Sequence, residues 1–401
     1  MKKRIISLAL AVVFIFSAVM PAFAAKKQSV LRFDENGEFR ILHLCDCQDL
    51  YPLKEKMVSY IEYVLKKYEP DLVVLGGDNT IGPKENKEKE VQQLAEIFVS
   101  NKTYFTLVFG NHDDEQGVSK EKLLSYFQKY GGKYCLAYDA VPSLHGTANH
   151  NLPVYGSDSE SVKFNVWLMD TGTYVYEDND ETKKRLGYDS VNPDQIEWYK
   201  KVSKELEKQE GAKVPSMMFQ HMIVGEIYEA MFPSVPFSLS PLTESYNGKN
   251  YPIVCPDTSR FKGHLLEPPS PGYYNHGQFD AMVERGDVLA VFSGHDHINS
   301  IEVRYKGIDI INTPGASFQA YGNPFVRGSR LITIKEDNPE KFDSDVLTFN
   351  NLVFRDAEFS SETGVSRIEG FFWAFLGNWL LLLKNISAPG SFLLYFLNYL
   401  I

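Results

Sequence analysis

The apolar runs of the chain have the lengths and spacings of buried strands. Residues 38–44 alternate between polar and apolar side chains, which is the period of a strand with one buried face. Later runs are short, continuously apolar and rich in β-branched or aromatic residues, as in parallel strands covered on both faces. The pattern predicts strands at residues 38–44, 71–75, 103–109, 163–170, 214–220, 288–293, 301–305, 308–312 and 330–334.

Helical spacing of apolar residues fills the intervals between several of these strands. In residues 54–68 the apolar positions recur every three or four residues, and Pro70 closes the segment. Further helices are predicted at 90–99, 119–130 and 193–207, with Ser119 as an N-terminal cap. Strands that alternate with helices in this way indicate an α/β fold whose parallel sheet is joined by right-handed crossovers.

Two stretches show neither the period of a strand nor that of a helix. Residues 174–189 are polar and charged, which predicts an exposed loop. Residues 233–272 contain many Pro, Ser, Tyr and Gly residues and little pattern. A loop of that length inside a domain is usually functional, so it is expected to be a lid or a wall of a substrate site, and the alternative is a disordered insertion.

Composition and charge narrow the functional classes. The chain has 401 residues, 44% of them hydrophobic, and a formal net charge of −11. That length suffices for one large domain or two ordinary ones with real cores. Beyond the N-terminus the longest run of Lys and Arg is the three residues 183–185, and the net charge is negative, so no nucleic-acid partner is expected.

The N-terminus has the three parts of a secretory signal peptide. Residues 2–4 are basic, residues 5–20 are apolar, and Ala22-Phe23-Ala24 is a small-x-small cleavage site. Residues 1–24 are therefore expected to be removed on export, leaving an extracellular or cell-envelope protein. The alternative is an uncleaved membrane anchor.

Export permits disulfides, but the chain has only four cysteines, Cys45, Cys47, Cys135 and Cys255. Cys45 and Cys47 lie too close along a strand to bridge each other comfortably. Pairing of Cys135 with Cys255 stays open, and buried or unpaired thiols are the simpler interpretation.

Polar residues of metal-ligand type follow five of the predicted strands. Because the carboxyl ends of parallel strands lie at one edge of a sheet, and open α/β sheets keep their sites there, we expect these side chains to meet. A single histidine after a strand usually has a structural role, but metal-ligand residues at the ends of five strands are rarely a coincidence. The residues are Asp46, Gln48, Asp78, Asn111, His112, His221, His295 and His297.

These residue types suit a centre of two metal ions. A carboxylate can bridge cations that lie ~3.5–4 Å apart, and Asp78 is the natural bridge. His295 and His297 are two positions apart and can each bind one ion. Imidazoles, amide oxygens and carboxylates together favour Mn, Fe, Zn or Mg over copper or an iron–sulfur cluster. The expected cofactors are thus two divalent or trivalent metal ions.

The motifs at these strand ends resemble those of the calcineurin-like metallophosphoesterase superfamily, over roughly residues 38–335. Within it the chain is most similar to the purple-acid-phosphatase-like branch of plants, yeast and bacteria. The resemblance implies a sandwich of two mixed sheets with helices on both outer faces. The motifs are Asp46-x-Gln48, Gly77-Asp78-Asn79, Gly110-Asn111-His112-Asp113, His221 and Gly294-His295-x-His297.

The resemblance also implies a role for each residue. Asp46, Asp78 and His297 would bind one metal, and His112 would be the catalytic histidine. Asp78 would be shared with the second metal, whose other ligands would be Asn111, His221 and His295.

The chain departs from the family pattern at Gln48, where the family usually has histidine. An amide oxygen is a weaker ligand than imidazole, so the first metal should bind less tightly or be Mn or Mg rather than Zn. The neighbouring Asp49 could lend a carboxylate instead. Ile81 stands where a coloured iron site would have tyrosine, so a purple enzyme is not expected.

The expected function is hydrolysis of a small phosphorylated substrate by a hydroxide that two metals activate. His112 would donate a proton or hydrogen bond to the leaving oxygen. Asp113 or Asp114 would orient its imidazole, unless both are solvated loop carboxylates that cap the next helix. The alternatives are a phosphodiesterase or nucleotidase of the same fold, or a non-catalytic binding protein with a decayed centre, which Gln48 favours.

The chain is thus divided into the signal peptide, a catalytic domain at residues 28–355 and a hydrophobic tail at residues 356–401. From residue 370 onward the only charged side chain is Lys384, between two apolar runs. Each run is shorter than the ~17–25 residues of a spanning helix. Residues 370–401 are therefore expected to contact a membrane surface as an interfacial or hairpin anchor, and the alternative is a strand or helix pair packed on the catalytic domain.

Overall fold

A computed structural model describes residues 31–234, 243–252 and 256–386. Its strands are β1 (Glu38–Leu44), β2 (Leu72–Gly76), β3 (Phe105–Val108), β4 (His150–Tyr155), β5 (Val162–Leu168), β6 (Tyr174–Tyr176), β7 (Arg185–Tyr188), β8 (Ser216–Phe219), β9 (Thr243–Tyr246), β10 (Lys249–Pro252), β11 (Phe261–Lys262), β12 (Val288–Ser293), β13 (Glu302–Tyr305), β14 (Ile308–Asn312), β15 (Gly328–Lys335) and β16 (Phe342–Thr348).

The helices predicted at 54–68, 119–130 and 193–207 are found within three residues of both predicted ends, whereas the one predicted at 90–99 begins six residues earlier, at Lys84. The α-helices are α1 (Glu55–Tyr68), α2 (Lys84–Ser100), α3 (Lys120–Gly131), α4 (Pro193–Glu210), α5 (Ile227–Met231), α6 (Gln278–Arg285), α7 (Phe349–Arg355), α8 (Ala357–Thr363) and α9 (Arg367–Ile386). Single 3-10 turns lie at Gly132–Tyr134 and Glu177–Asn179.

Two mixed sheets are stacked on each other. The first has the strand order β16-β15-β1-β2-β3, and the second has the order β11-β13-β14-β12-β8-β5-β4. Within each sheet the central strands are parallel: β1 to β3 in the first, and β5, β8, β12 and β14 in the second. The outer strands pair antiparallel.

Side chains from the inner faces of both sheets form one apolar core. Ile41 and Val74 of the first sheet share a cluster with Phe219 and Phe292 of the second. The opposite faces of the same strands are buried under helices, α1 to α3 over the first sheet and α4 to α6 over the second. Burial on both faces explains the continuous apolar runs of these strands. The expected sandwich of mixed sheets between two helical layers is confirmed.

Local signals hold the helices in place. Ser119 accepts a hydrogen bond from the Lys122 amide and caps α3, as predicted. At α4, Asn192 and Gln195 form a reciprocal capping box with Pro193 at the first helical position. α4 continues to Glu210, three residues beyond the predicted end, where Gly211 adopts the left-handed conformation that terminates it.

Several predictions from the sequence were wrong. Residues 174–189 are not simply an exposed loop, because β6 and β7 pair as a hairpin. The strand predicted at 330–334 is not the last one, because β16 follows it and pairs with it at the edge of the first sheet. β16 is exposed at alternate positions, and its polar and apolar residues alternate too weakly to predict a strand. The described part of 233–272 holds the β9–β10 hairpin and β11, whereas residues 235–242 and 253–255 lie outside the described residues.

The described residues include three of the four cysteines and none of the predicted signal peptide. Cys45 and Cys47 are buried free thiols, and Cys135 is buried as well. Cys255 and the signal peptide, residues 1–24, lie outside the described residues.

The tail begins with α8, and its first apolar run, residues 371–383, lies in α9, whereas the second run, residues 392–401, lies outside the described residues. α9 spans 20 residues and packs Leu380, with Trp373 and Leu376, on Leu266 and Phe325. Its opposite face carries exposed apolar side chains. None of the helices in the described ranges has the length and apolar character required to cross a membrane. Residues 387–401 lie outside those ranges.

Candidate metal centre

The strand ends of both sheets converge on Asp78. Asp46 follows β1, Asp78 follows β2, His221 follows β8, and both His295 and His297 follow β12. Asp78, His221 and His295 offer ligand atoms that all lie within 4.8 Å of one another, and so do Asp46, Asp78 and His297. Asp78 belongs to both groups, so one buried carboxylate lies between two possible ion positions.

Asp78 uses its two oxygens differently. Oδ1 accepts a hydrogen bond of 2.8 Å from the backbone amide of His112, which ties the loop after β2 to the loop after β3. Oδ2 lies 3.3 Å from Nε2 of His221, and both atoms are buried. The side chain is therefore held from one end while the other end faces the second sheet.

Two of the histidines are oriented by backbone carbonyls. Nδ1 of His221 lies 2.9 Å from the Gly76 oxygen, and Nδ1 of His297 lies 2.9 Å from the Tyr321 oxygen. A carbonyl can only accept, so each Nδ1 carries a proton, and Nε2 is the ring nitrogen directed at the site. Orientation of ligand imidazoles through the other ring nitrogen is characteristic of metal sites.

Buried oxygens without partners support the assignment to metal ions. Within the described part of the chain, Gln48 Oε1 and Asn111 Oδ1 have no hydrogen-bond partner. Leaving such an atom unsatisfied costs on the order of 1–3 kcal/mol, so a compensating ligand is expected. A donor set of carboxylate, amide and imidazole atoms suits Mn, Fe, Zn or Mg.

The backbone is strained where it presents these side chains. Asp46, Asp78 and His295 have φ of 52°, 49° and 69°, in the left-handed region that non-glycine residues rarely adopt. Such strain clusters at functional sites. Glycine is needed beside them: a Cβ on Gly110 would lie 2.1 Å from Asp78 Oδ1, and one on Gly77 would lie 2.4 Å from His221 Nδ1.

Burial and charge set the protonation of the histidines. Burial lowers the pKa of His297 to about 4 and holds that of His295 well below its usual value, so both imidazoles are neutral at pH 7. Burial also acts to lower the pKa of His221, but the charge of Asp78 prevails and raises it to about 9. Neutral imidazole is the form that binds metals, and at His221 a cation would compete with this proton.

Gln48 lies beside the group of Asp46, Asp78 and His297 and contacts His297. Its Nε2 is 3.2 Å from Nε2 of His297. Asp49 is not the substitute ligand that its position suggested, because its carboxylate accepts hydrogen bonds from the amides of Lys54, Phe318 and Gln319. An ion between Asp46, Asp78 and His297 would thus have Gln48 as its fourth neighbour.

Asp113 does not contact the His112 imidazole, contrary to expectation. Its buried carboxylate accepts hydrogen bonds from the backbone amides of Asn79, Thr80 and Gly110, at 2.8–3.0 Å. Burial and the charge of Asp78 raise the pKa of Asp113 to about 6. The residue is therefore a connector between the loops that carry Asp78 and Asn111.

The partner of His112 is a residue that the sequence analysis did not single out. His112 Nδ1 lies 2.6 Å from Oε2 of Glu115, and the His112 side chain is 34% exposed. Glu115 Oε1 in turn accepts from the hydroxyl of Tyr174. The spacing of His112 and Glu115, three residues apart, was the only signal in the sequence.

Comparison with known proteins finds that the chain is similar to phosphoesterases. The family described as calcineurin-like phosphoesterase matches residues 39–227. The chain is 26% identical over 348 residues to the probable inactive purple acid phosphatase 29 of Arabidopsis thaliana, covering 80% of this chain and 82% of that protein. It is 24% identical over 315 residues to the phosphatase DCR2 of Saccharomyces cerevisiae, covering 73% of this chain and 49% of the yeast protein.

Among solved structures, a dimetal phosphatase from Danio rerio covers 78% of this chain and 99% of its own, at a TM-score of 0.44 and 11% identity. The family match begins in β1 and ends in α5, so it contains Asp46, Asp78, Asn111 and His221. The resemblance seen in the sequence motifs is therefore confirmed, because residues 39–227 match the calcineurin-like phosphoesterase family.

Proposed function

We propose that the protein hydrolyses phosphate esters with the help of two metal ions. The observation that supports this most strongly is the pair of ligand groups that share Asp78. The first ion would be held by Asp46, Asp78 and His297, with Gln48 beside it. The second would be held by Asp78, Asn111, His221 and His295.

When bound, such a pair of ions supplies an acidified water as nucleophile and neutralises charge on the phosphoryl oxygens. The chain's own contribution is placement. Asp78 is fixed by the His112 amide, and His221 and His297 are fixed by backbone carbonyls. Preorganised ligands of this kind need no rearrangement when substrate binds.

His112 is the residue proposed to act on the leaving group. Its Nδ1 donates to Glu115, which leaves Nε2 as the ring nitrogen available to the substrate, and in the imidazolium form Nε2 donates a hydrogen bond or proton. The side chain is half-exposed, so a substrate oxygen can reach it. Binding of metal alone would not require this residue, which favours catalysis over a decayed binding site.

The alternative of a non-catalytic binding protein has two observations in its favour. The plant relative is named a probable inactive phosphatase, and Gln48 replaces the usual histidine. A phosphodiesterase or nucleotidase is the alternative within enzymes, since exposed rings of Tyr273, Tyr274 and Tyr321 could stack on a base. A panel of phosphomonoesters, phosphodiesters and nucleotides separates these functions.

Hydrolysis of p-nitrophenyl phosphate with added Mn²⁺ is the experiment that tests the proposal. We expect turnover by the wild type and a loss of at least about a hundredfold in Asp78→Asn, which removes the shared charge between the ions. Asp343→Asn, an exposed carboxylate of β16, is the matched control and should retain activity. A wild type without metal-dependent turnover of any phosphate ester would support the binding protein instead.

We also propose that the protein is exported and lies at a membrane surface. The signal-peptide pattern of residues 1–24 supports export, and N-terminal sequencing of cell-envelope protein should find residue 25 first. One face of α9 supports the membrane contact, because Ile368, Phe371, Phe372, Phe375 and Trp379 are all exposed there. Co-sedimentation with phospholipid vesicles measures this association.

A further inference from the structure

Two side chains outside the expected ligand set join a proposed metal ligand to the proposed catalytic histidine. Nδ2 of Asn111 lies 2.9 Å from the hydroxyl of Tyr174, and that hydroxyl lies 2.6 Å from Oε1 of Glu115. The other oxygen of Glu115 lies 2.6 Å from Nδ1 of His112. Asn111 and His112 are neighbours in the chain, so the contacts close a ring.

The direction of each hydrogen bond follows from the chemistry of the groups. A Glu115 carboxylate can only accept, so the Tyr174 proton points to it and the Tyr174 oxygen must accept from Asn111. The Asn111 amide is thereby fixed with Nδ2 toward Tyr174. Its Oδ1, the atom suited to a metal ion, is the one left buried without a partner within the described residues.

The orientation of the His112 imidazole is fixed in the same way. Nδ1 of His112 must donate to Glu115, which sets the ring orientation and leaves Nε2 for the substrate. One carboxylate therefore controls both groups: His112 directly, and Asn111 through the hydroxyl of Tyr174.

The β6–β7 hairpin holds Tyr174 in place. The guanidinium of Arg185, on β7, lies 4.6 Å from the centre of the Tyr174 ring. Tyr188, also on β7, meets the ring of His295 edge-on with ring centres 4.3 Å apart. The hairpin thus contacts Asn111 and His295, both of which are proposed ligands of the second ion and not of the first.

We propose that Tyr174 and Glu115 are positioning residues, Tyr174 for the second metal position and Glu115 for His112. The inference rests on the proposed function for its catalytic part, whereas the metal-binding part stands on the site alone. The β6–β7 hairpin then acts as the element that sets the occupancy of one ion of the pair.

Titration with Mn²⁺ in the absence of substrate tests the role of Tyr174. Loss of the hydroxyl in Tyr174→Phe frees the Asn111 amide to rotate, so one of two Mn²⁺ equivalents should bind about tenfold more weakly. Tyr176→Phe is the matched control, because this tyrosine is on the same hairpin with its ring centre 6.3 Å from that of Tyr174. Tyr174→Phe that binds both ions as the wild type does would overturn the inference.

Glu115→Gln separates the positioning of His112 from the positioning of Asn111. The amide oxygen of glutamine can still accept from Tyr174, but its NH₂ group faces His112 and cannot accept from Nδ1. We expect wild-type Mn²⁺ affinity, a kcat at least about tenfold lower and little change in KM. An unchanged kcat would refute the role of Glu115. If the wild type proved inactive on phosphate esters, the proposed function would fail, while the Mn²⁺ titration would still decide the role of Tyr174.

Discussion

At the scale of single residues, the sequence predicts ligand types better than it predicts their partners. Asp46, Asp78 and the histidines could be found because each directly follows an apolar run, and the ends of parallel strands meet at one edge. The pairing of Asn111 with Tyr174 joins positions 63 residues apart through one hydroxyl, so no period or spacing reports it. The assignment of Asp113 to His112 was wrong because adjacent residues on a tight turn point different ways.

A buried histidine away from the metal centre gives a prediction of stability against pH. His150, on β4, contacts the Ala148 carbonyl at 2.6 Å and Thr106 Oγ1 at 2.7 Å, and burial lowers its pKa to about 4. An unfolded histidine titrates near pH 6.5, so below that pH the unfolded chain takes up a proton that the folded chain refuses. The free energy of unfolding should fall by up to about 3 kcal/mol between pH 7 and pH 4 from this group.

Urea unfolding of the metal-free protein at pH 7 and pH 4.5 measures this effect. His150→Gln should show a smaller difference between the two pH values than the wild type, whatever its absolute stability. His276→Gln, at an exposed histidine, should keep the wild-type difference. Equal pH dependence in His150→Gln and wild type would contradict the assignment.

At the scale of elements, the strands and helices of the core are predicted well because their apolar periods are set by burial. β1 and β12 have the bounds that the sequence predicts. The β6–β7 hairpin was not recognised, because its strands are only three and four residues long and the segment that joins them is polar and charged. α9 contains the first of the two apolar runs predicted in the tail, at residues 371–383, and the second run lies outside the described residues.

The exposed face of α9 gives a prediction about membranes. Phe375 and Trp379 are 56% and 45% exposed, on the side opposite the one that packs on Leu266 and Phe325. Aromatic side chains at such a face are suited to the boundary between lipid headgroups and acyl chains. The double variant Phe375→Ser and Trp379→Ser should partition into phospholipid vesicles about tenfold more weakly than the wild type.

Two controls accompany the vesicle measurement. Val283→Ser, at an apolar residue of α6 that is 37% exposed, should bind vesicles as the wild type does. Hydrolysis of a soluble ester should be unchanged in the double variant, because the exposed face does not contact the metal ligands. Equal partitioning of the double variant and the wild type would exclude this face as the membrane contact.

At the scale of the whole molecule, the centre exists because two sheets present their strand ends at the same edge of the sandwich. The first sheet supplies Asp46, Asp78 and Asn111, and the second supplies His221, His295 and His297. The sequence alone predicts which strands carry these residues, but the stacking of one sheet on the other followed from the family resemblance. Neither sheet alone provides a complete ligand set.

The most direct test of this account is an anomalous difference map from crystals of the protein grown with Mn²⁺. We expect two peaks about 3.5–4 Å apart, one on each side of the Asp78 carboxylate. One should lie against Asp46 and His297, and the other against Asn111, His221 and His295. A map with no peak beside Asp78, or with a single peak and the second group of ligands bonded only to protein atoms, would contradict it.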